Sequence, residues 1–251
     1  MDTEACVAIV TGGNRGIGAA FVRELLRAGA ERVYVGTREL EAARDLCDEC
    51  GARAIPIELD VTNERQVAAV AAACRDVTVL VNNAGAFLNT TLLEAPDLNP
   101  AREEMEVNYF GVLSMCRAFA PHLARNAPAA IVNVLSAGAI VAVPNMGGYS
   151  PSKFAARALT TNLRAELGHA IQVSALIVGS VDTRMAAHVE GQKESPATIA
   201  KAGIQAIHDN LPEMDTDAMA ASVRAALERD PERLEKKMAE LLHVDVLNTG
   251  R

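Results

Sequence analysis

Short apolar runs alternate with longer amphipathic stretches along the chain. The apolar runs are rich in Val and Ile and predict buried strands over 5–10, 32–36, 53–59, 77–81, 129–135 and 171–178. Between them, apolar residues at helical spacing predict a first helix that ends near Gly29 and further helices over 67–73, 103–125 and 149–168. Because strand and helix alternate throughout, we expect an α/β fold: a doubly wound, mostly parallel sheet with helices on both faces.

Glycines follow the first predicted strand and open the first helix. At such a turn, glycine lets the backbone bend tightly and approach a pyrophosphate, while free N–H groups at the helix start bind the phosphates. The alternative is a tight turn that binds no ligand. The cofactor-binding candidates of this turn are Thr11, Gly12, Asn14, Arg15, Gly16, Ile17 and Gly18.

Thr37 and Arg38 follow the carboxyl end of the second predicted strand. An acidic side chain near this point accepts hydrogen bonds from the ribose of NAD, whereas an arginine accommodates the 2′-phosphate of NADP. Neither residue is acidic, and Arg15 would add a second guanidinium near the same phosphate. We therefore expect NADP(H). The alternative is that Arg38 simply starts a solvated helix with Glu39 and Glu41.

Polar clusters follow the next two strands. Asp60, Val61 and Thr62 follow the third, and 82–85 (Asn-Asn-Ala-Gly) closes the fourth. Ligands of parallel sheets bind beyond the carboxyl ends of the strands, so these clusters belong to the same candidate site. For Asp60, a helix cap is the alternative role.

Tyr149 and Lys153 lie four residues apart at the start of a predicted helix, so their side chains project from the same face. A neighbouring ammonium favours phenolate and should lower the pKa of the tyrosine towards the range of general acid/base catalysis. Alone, the pair is a common surface arrangement. Asn108 lies in mid-helix, where an amide is unusual on helix propensity, and Ser136 ends the fifth predicted strand.

In their order along the chain, these motifs resemble the short-chain dehydrogenase/reductase family, over about residues 5 to 185. The resemblance implies a single Rossmann-like domain, with Asp60 near the adenine, Asn82 by the adenosine ribose and Lys153 on the nicotinamide ribose. The residues that match the catalytic tetrad are Asn108, Ser136, Tyr149 and Lys153. The further cofactor contacts that it implies are Thr37, Arg38, Val61, Ala84, Gly85, Tyr149, Gly179, Val181 and Thr183.

These residue types suit hydride transfer between nicotinamide and a carbonyl or secondary alcohol. Ser136 would polarise the carbonyl oxygen, and Tyr149 would donate a proton to it as hydride arrives at carbon. Lys153 would lower the pKa of Tyr149, and Asn108 would hold a water that passes protons to Lys153. We expect no metal, since these groups supply the electrostatics.

The chain departs from the family in two places. Val178 precedes Gly179 where many members have proline, which should loosen the cofactor loop. A glycine-rich seventh strand is not evident, although Leu211 and Pro212 suggest a short version. Residues 213–251 are expected to be largely helical, over 218–227 and 231–242, as a solvated face or as a subunit contact.

The substrate region is expected over 184–200, as a mobile cover around Gly191. His188 either touches substrate or is solvated. An apolar pocket for a small or medium carbonyl compound could be lined by Phe87, Leu88, Val141, Val143, Met146 and Met185.

Composition limits the other classes of function. The 251 residues, 50% of them hydrophobic and 22% charged, suit one globular domain over 1–251. A formal charge of -8 disfavours nucleic acid or an anionic membrane as the main partner. We find no leader segment and no apolar run of about 18 residues, and expect a soluble, cytoplasmic protein. By analogy with the family, it should form a homodimer or homotetramer through the helices over 103–125 and 149–168.

Five cysteines argue against a disulfide framework. Cys47 and Cys50 have the spacing of a redox or zinc half-site, but two unreactive helical thiols are the simpler interpretation. Besides an NADP(H)-dependent reductase or dehydrogenase, the pattern leaves open two alternatives. One is another enzyme on the same scaffold, such as an epimerase or dehydratase. The other is a non-catalytic NADP(H)-binding or interaction protein.

Overall fold

In the computed structural model, which describes residues 1–240 and 242, a seven-stranded parallel sheet forms the centre of the protein. The strand order is β3-β2-β1-β4-β5-β6-β7. The strands are β1 (Val7–Thr11), β2 (Arg32–Thr37), β3 (Ala54–Glu58), β4 (Val79–Asn82), β5 (Ala129–Val134), β6 (Ile171–Ile177) and β7 (Glu213–Asp215).

Helices cover both faces of the sheet. They are α1 (Gly16–Arg27), α2 (Arg44–Cys50), α3 (Glu64–Ala73), α4 (Asn99–Met105), α5 (Val112–Arg125), α6 (Tyr149–Leu167), α7 (Pro196–His208), α8 (Ala218–Arg229) and α9 (Pro231–Ala239). Side chains alternate across each strand: Ala8 and Val10 pack with α1 and α7, and Val7 and Ile9 pack with α3, α5 and α6. The predicted α/β, doubly wound, Rossmann-like architecture is confirmed.

The predicted helix over 103–125 is wrong in its continuity. The helical segment begins earlier, at Asn99 with Pro100 in its first turn, and a π-helical stretch, Glu106–Gly111, separates α4 from α5. Gly111 lies against the residues after β3, since a Cβ there would come 2.7 Å from Val61 Cγ2. The π-helical stretch carries Asn108, and such single π turns are frequent at functional sites.

A short seventh strand is present. β7 begins directly after Pro212, close to the position at which the sequence suggested a shortened seventh strand, and it pairs with β6. α8 extends to Arg229, and α9 ends at Ala239 rather than at 242. The predictions for the rest of 213–251, at residues 241 and 243–251, lie outside the described residues. Sequence analysis did not predict α7, which follows the irregular part of the substrate region.

The cysteines form no disulfide in the described part of the chain. Cys47 and Cys50 lie in α2, and burial raises the pKa of both thiols, which keeps them protonated. Within residues 1–240 and 242, no three His, Cys, Asp or Glu side chains cluster as metal ligands would. No helix in that part of the chain combines the length and apolar character needed to cross a membrane.

Candidate active site

The glycine turn after β1 adopts a backbone that only glycine accommodates easily. Gly12 and Gly16 have φ angles of 61° and 53°. A Cβ on Gly18 would lie 2.2 Å from the Gly12 carbonyl oxygen, so the turn and the start of α1 pack directly on each other. Arg15, the residue before α1, does not cap the helix: its side chain accepts no hydrogen bond from the N–H groups of the first turn. This is a cradle that fits a pyrophosphate.

Thr11 ties this turn to the loop after β4. Its hydroxyl oxygen accepts hydrogen bonds from the backbone N–H groups of Asn83, at 3.0 Å, and Ala84, at 2.9 Å. The Asn83 amide donates to the carbonyl oxygens of Thr11 and Gly12 at 2.9 and 3.2 Å. Asn83, which the sequence analysis did not include among the site residues, therefore shapes the cradle.

Arg15 and Arg38 are both exposed, and within residues 1–240 and 242 neither forms an ion pair. The turn lies beside the end of β2, because Gly13 N–H donates to the Gly36 carbonyl oxygen at 2.9 Å. The Thr37 hydroxyl is buried and donates to the Glu39 carbonyl oxygen at 3.1 Å. Two arginines without a carboxylate partner at this edge fit a phosphate group.

Asp60 lies at the carboxyl end of β3, where its carboxylate accepts hydrogen bonds from the backbone and the hydroxyl of Thr62. Asn63 caps α3 by accepting from the N–H groups of Arg65 and Gln66. The alternative role of Asp60 as the cap of α3 is therefore wrong, and its contact with adenine stays a prediction. Val61 is buried beside it.

The Asn82 side chain is buried between β5 and α5. Its amide donates to Asn133 Oδ1 at 2.8 Å and to Cys116 Sγ at 3.4 Å, and only 4% of the residue is exposed. A ribose contact from Asn82 would therefore have to come from its backbone. Asn133 in turn donates to Thr160 on α6, so this buried chain of amides connects the sheet to the helix of Tyr149.

Tyr149, Ser136 and Lys153 converge where β5 ends and α6 begins. A Cβ on Gly138 would lie 3.4 Å from Ser136 Oγ and 3.6 Å from Tyr149 Cε1, so both side chains flank this glycine. Lys153 Nζ lies 5.6 Å from the centre of the Tyr149 ring and donates to the Val134 carbonyl oxygen at 3.0 Å. The structure thus brings together three members of the predicted tetrad.

The net pKa shift of Tyr149 is opposite to the lowering expected from Lys153. Burial raises the pKa of Tyr149, the Ser136 hydroxyl opposes this, and the negative charge of Glu104 adds to the rise. Burial also lowers the pKa of Lys153 to about 8. Desolvation of both side chains therefore outweighs their proximity.

Asn108, the fourth member, is fully buried and uses its side chain to join two segments. Its amide nitrogen donates to the Ala86 carbonyl oxygen and to Ser152 Oγ, both at 2.9 Å, and its oxygen accepts from Ala86 N–H at 3.0 Å. A Cβ on Gly85 would lie 3.2 Å from Asn108 Oδ1 and 3.8 Å from Lys153 Nζ. The predicted water relay through Asn108 stays a prediction.

The cofactor loop after β6 is held by Asp217, which sequence analysis missed. Gly179 N–H donates to Asp217 Oδ2 at 2.7 Å, and a Cβ on Gly179 would lie 2.3 Å from Asp217 Oδ1. Val181 is buried, and Thr183 Cγ2 lies 3.2 Å from the Cβ position of Gly16 across the cleft. The loop expected to be loosened by Val178 is thus tied to the N-terminus of α8.

Two aromatic rings lie next to Tyr149. Phe87 packs edge-on to Tyr149 with ring centroids 5.2 Å apart, and the His188 ring lies 5.3 Å from the Phe87 ring. The segment that carries His188 closes on itself, because Asp182 N–H donates to the Glu194 carbonyl oxygen at 2.9 Å. His188 therefore lies against a residue of the predicted pocket.

Comparisons with known proteins agree with this arrangement. A sequence profile of the short chain dehydrogenase family matches residues 6–194. A short chain dehydrogenase from Burkholderia cenocepacia J2315, solved in complex with NADP, is 42% identical, covers 95% of this chain and 99% of its own, and superposes with a TM-score of 0.89.

Two curated proteins are also similar. The rhamnolipids biosynthesis 3-oxoacyl-[acyl-carrier-protein] reductase of Pseudomonas aeruginosa is 32% identical over 75% of this chain and 78% of its own. The short chain dehydrogenase tazN of Aspergillus terreus is 36% identical over 69% of this chain, and the match spans only 41% of the length of tazN. Together with the cradle, the cofactor loop and the Ser136, Tyr149 and Lys153 cluster, these matches establish that the chain belongs to the short chain dehydrogenase family of oxidoreductases.

Proposed function

We propose that this protein is an NADP(H)-dependent oxidoreductase that transfers hydride between nicotinamide and a carbonyl or secondary alcohol substrate, with Tyr149 as the general acid/base. The observation that carries the proposal is the convergence of Ser136 and Tyr149 on Gly138, with Lys153 beside the Tyr149 ring. Bound nicotinamide would supply the hydride.

The side chains of the protein would act on the substrate carbonyl oxygen and on the proton that this oxygen receives. Ser136 would donate a hydrogen bond to the substrate carbonyl oxygen and so favour the negative charge that develops there. Tyr149, held protonated by its raised pKa, would transfer its proton to that oxygen. Lys153 would bind the nicotinamide ribose and, when charged, stabilise the phenolate that remains.

NADP(H) is the proposed cofactor because Arg15 and Arg38 fit a 2′-phosphate and because the Burkholderia cenocepacia relative was solved with NADP. The glycine turn would hold the pyrophosphate. The proposed contacts of the cofactor loop, Gly179, Val181 and Thr183, rest on the resemblance to the family and on the position of Thr183 beside Gly16.

The substrate is proposed to be a small or medium carbonyl compound. Phe87 gives the pocket an aromatic wall beside Tyr149. A homodimer or homotetramer is proposed by analogy with the family, and the exposed Phe110 and Phe154, on the helices predicted to form the contact, support it. A cytoplasmic location, a single domain and the absence of a metal stay predictions.

The test is a panel of aldehydes and ketones with NADPH, followed by cofactor absorbance and repeated with Tyr149→Phe. We expect turnover of at least one compound and a loss of roughly 100-fold or more in kcat for the variant, the usual size of a general acid contribution. Equal turnover by both proteins would remove Tyr149 as the acid. Cofactor binding without turnover of any compound would favour the non-catalytic alternative.

A further inference from the structure

We propose that Glu104 is a positioning residue of this site: with Asn108 it holds the segment 86–88 so that Phe87 rests on Tyr149, and its buried carboxylate lies against the residue that precedes Tyr149. This inference deepens the proposed function and rests on the proposed role of Tyr149. Glu104 belongs to neither the predicted tetrad nor the predicted cofactor contacts.

Two buried side chains, four residues apart on the helical segment, hydrogen-bond the backbone of residues 86–88. Glu104 Oε1 accepts a hydrogen bond from Leu88 N–H at 2.8 Å, and the Asn108 side chain bonds both the N–H and the carbonyl oxygen of Ala86. Glu104 and Asn108 are 1% and 0% exposed. Phe87, between the two gripped residues, is the side chain that packs edge-on to Tyr149.

The second oxygen of Glu104 lies against the residue that precedes Tyr149. A Cβ on Gly148 would come 2.8 Å from Glu104 Oε2 and 2.6 Å from Ala101 Cα, so α4 and the start of α6 meet without space for a side chain. Oε2 is buried, makes no hydrogen bond within the usual geometric limits in the described part of the chain, and faces the backbone N–H of Gly148, which lowers the pKa of Glu104. A buried carboxylate exerts a strong field on its neighbours.

The charged groups around Glu104 identify Tyr149 as the group that feels this field. Burial raises the pKa of Glu104, the Leu88 N–H opposes the rise and the neighbouring Glu103 adds to it. Glu104 in turn raises the pKa of Tyr149. Lys153 Nζ lies 5.6 Å from the centre of the Tyr149 ring, and the His188 ring lies 5.3 Å from the Phe87 ring.

The effect of Glu104 concerns the proton of Tyr149. Burial raises the pKa of both groups, and the carboxyl starts from an ordinary value of 4.5 against 10.0 for the phenol, so Glu104 loses its proton first. A negative charge beside the phenol then disfavours phenolate. Removal of the charge should therefore favour phenolate, the form that accepts a proton in alcohol oxidation.

The test measures the ionisation of Tyr149 directly. The chain has three tyrosines and no tryptophan, so its tyrosines can be followed by NMR of carbon-13 at the ring carbon that bears the hydroxyl. Tyr149→Phe identifies the resonance of Tyr149. The pKa of Tyr149 is then compared in the parent, in Glu104→Gln, which keeps the shape and the acceptor for Leu88, and in Glu106→Gln, which removes an exposed charge nearby.

We expect Glu104→Gln to lower the pKa of Tyr149 and to move the pH profile of alcohol oxidation to lower pH, and Glu106→Gln to do neither. Glu104→Met also removes the acceptor, and should in addition reduce kcat/KM by about tenfold because Phe87 and Tyr149 lose their relative position. Circular dichroism verifies that each variant is folded.

An unchanged kcat/KM in Glu104→Met, an unchanged pKa of Tyr149 in Glu104→Gln, or an equal fall of that pKa in Glu106→Gln would overturn the proposal. Full turnover by Tyr149→Phe would instead contradict the proposed function. The titration does not depend on turnover, so the two failures are distinguishable.

Discussion

Lys153 Nζ lies 5.6 Å from the centre of the Tyr149 ring, yet its hydrogen bond goes to the Val134 carbonyl oxygen at 3.0 Å. The lysine is 5% exposed, and no carboxylate in the described part of the chain forms an ion pair with it. The chain therefore holds a buried ammonium at the site at a cost in stability, because burial penalises the charged form.

Substitution of Lys153 should expose that cost. With the pKa lowered from 10.5 to about 8, the unfolded chain binds a proton that the folded chain lacks between those pH values. The free energy of unfolding should therefore rise as pH increases from about 8 to 10.5. Lys153→Met should raise it at pH 7 by about 2 kcal/mol, flatten this dependence and abolish activity.

Urea denaturation of the chain without cofactor at a series of pH values measures this effect. Lys201→Met, at an exposed position of α7, is the matched control and should leave the pH dependence intact. Destabilisation by Lys153→Met at pH 7 would show that the ammonium contributes more than it costs.

Arg38→Ala should weaken NADPH binding by roughly 10- to 100-fold, as expected for the loss of a charge-assisted contact with phosphate, and leave NADH binding within about twofold. Cofactor fluorescence in a titration gives both affinities. Arg44→Ala is the control, because Arg44 is exposed and already paired with Glu41. A parent protein that prefers NADH would contradict the assignment of Arg15 and Arg38.

Gly18→Ala should damage the phosphate cradle. The new methyl group would lie 2.2 Å from the Gly12 carbonyl oxygen and 2.6 Å from Asn83 Nδ2, so the turn has to open. We expect at least about tenfold weaker cofactor binding and a loss of about 1–3 kcal/mol in the free energy of unfolding. Gly191→Ala is the control for backbone strain. Gly191 has a φ of 96°, but its Cβ position has open space around it, so a methyl group there collides with nothing. We expect this variant to keep the cofactor affinity of the parent.

Asp217→Ala should lower both stability and cofactor affinity. Asp217 caps α8 by accepting from Ala220 N–H and holds the cofactor loop through Gly179. Asp230→Ala, which removes the cap of α9, should cost a similar amount, about 1 kcal/mol, in thermal unfolding. Only Asp217→Ala should also raise the KM for cofactor. If both variants bind cofactor as the parent does, the bond to Gly179 has no functional role.

Local pattern predicted the sheet, the glycine turn and the pair of Tyr149 and Lys153, and the resemblance to the family added Ser136. Strand alternation and helix periodicity are visible within a few residues. The π-helical stretch around Asn108 was missed because an apolar stripe with a 3.6-residue period does not show one turn of a different hydrogen-bond pattern.

Long-range contacts explain the other omissions. Asp217 is 38 residues from Gly179, and nothing near either residue indicates their hydrogen bond. Glu104 lies among charged residues at the start of the helix predicted over 103–125, where a charged side chain is usually solvated. The direction of the pKa shift of Tyr149 depends on its burial, which the spacing of Tyr149 and Lys153 does not report.

The ionic network at β7 has a consequence for how the protein behaves at high concentration. β7 is only three residues long, and its Glu213 and Asp215 carboxylates are paired with Arg157 and Arg224. A short edge strand with fixed charges is a poor template for a strand from another molecule. Neutral residues in place of Glu213 and Asp215 should therefore first cause self-association through this sheet edge, while cofactor binding continues in the molecules that remain monodisperse.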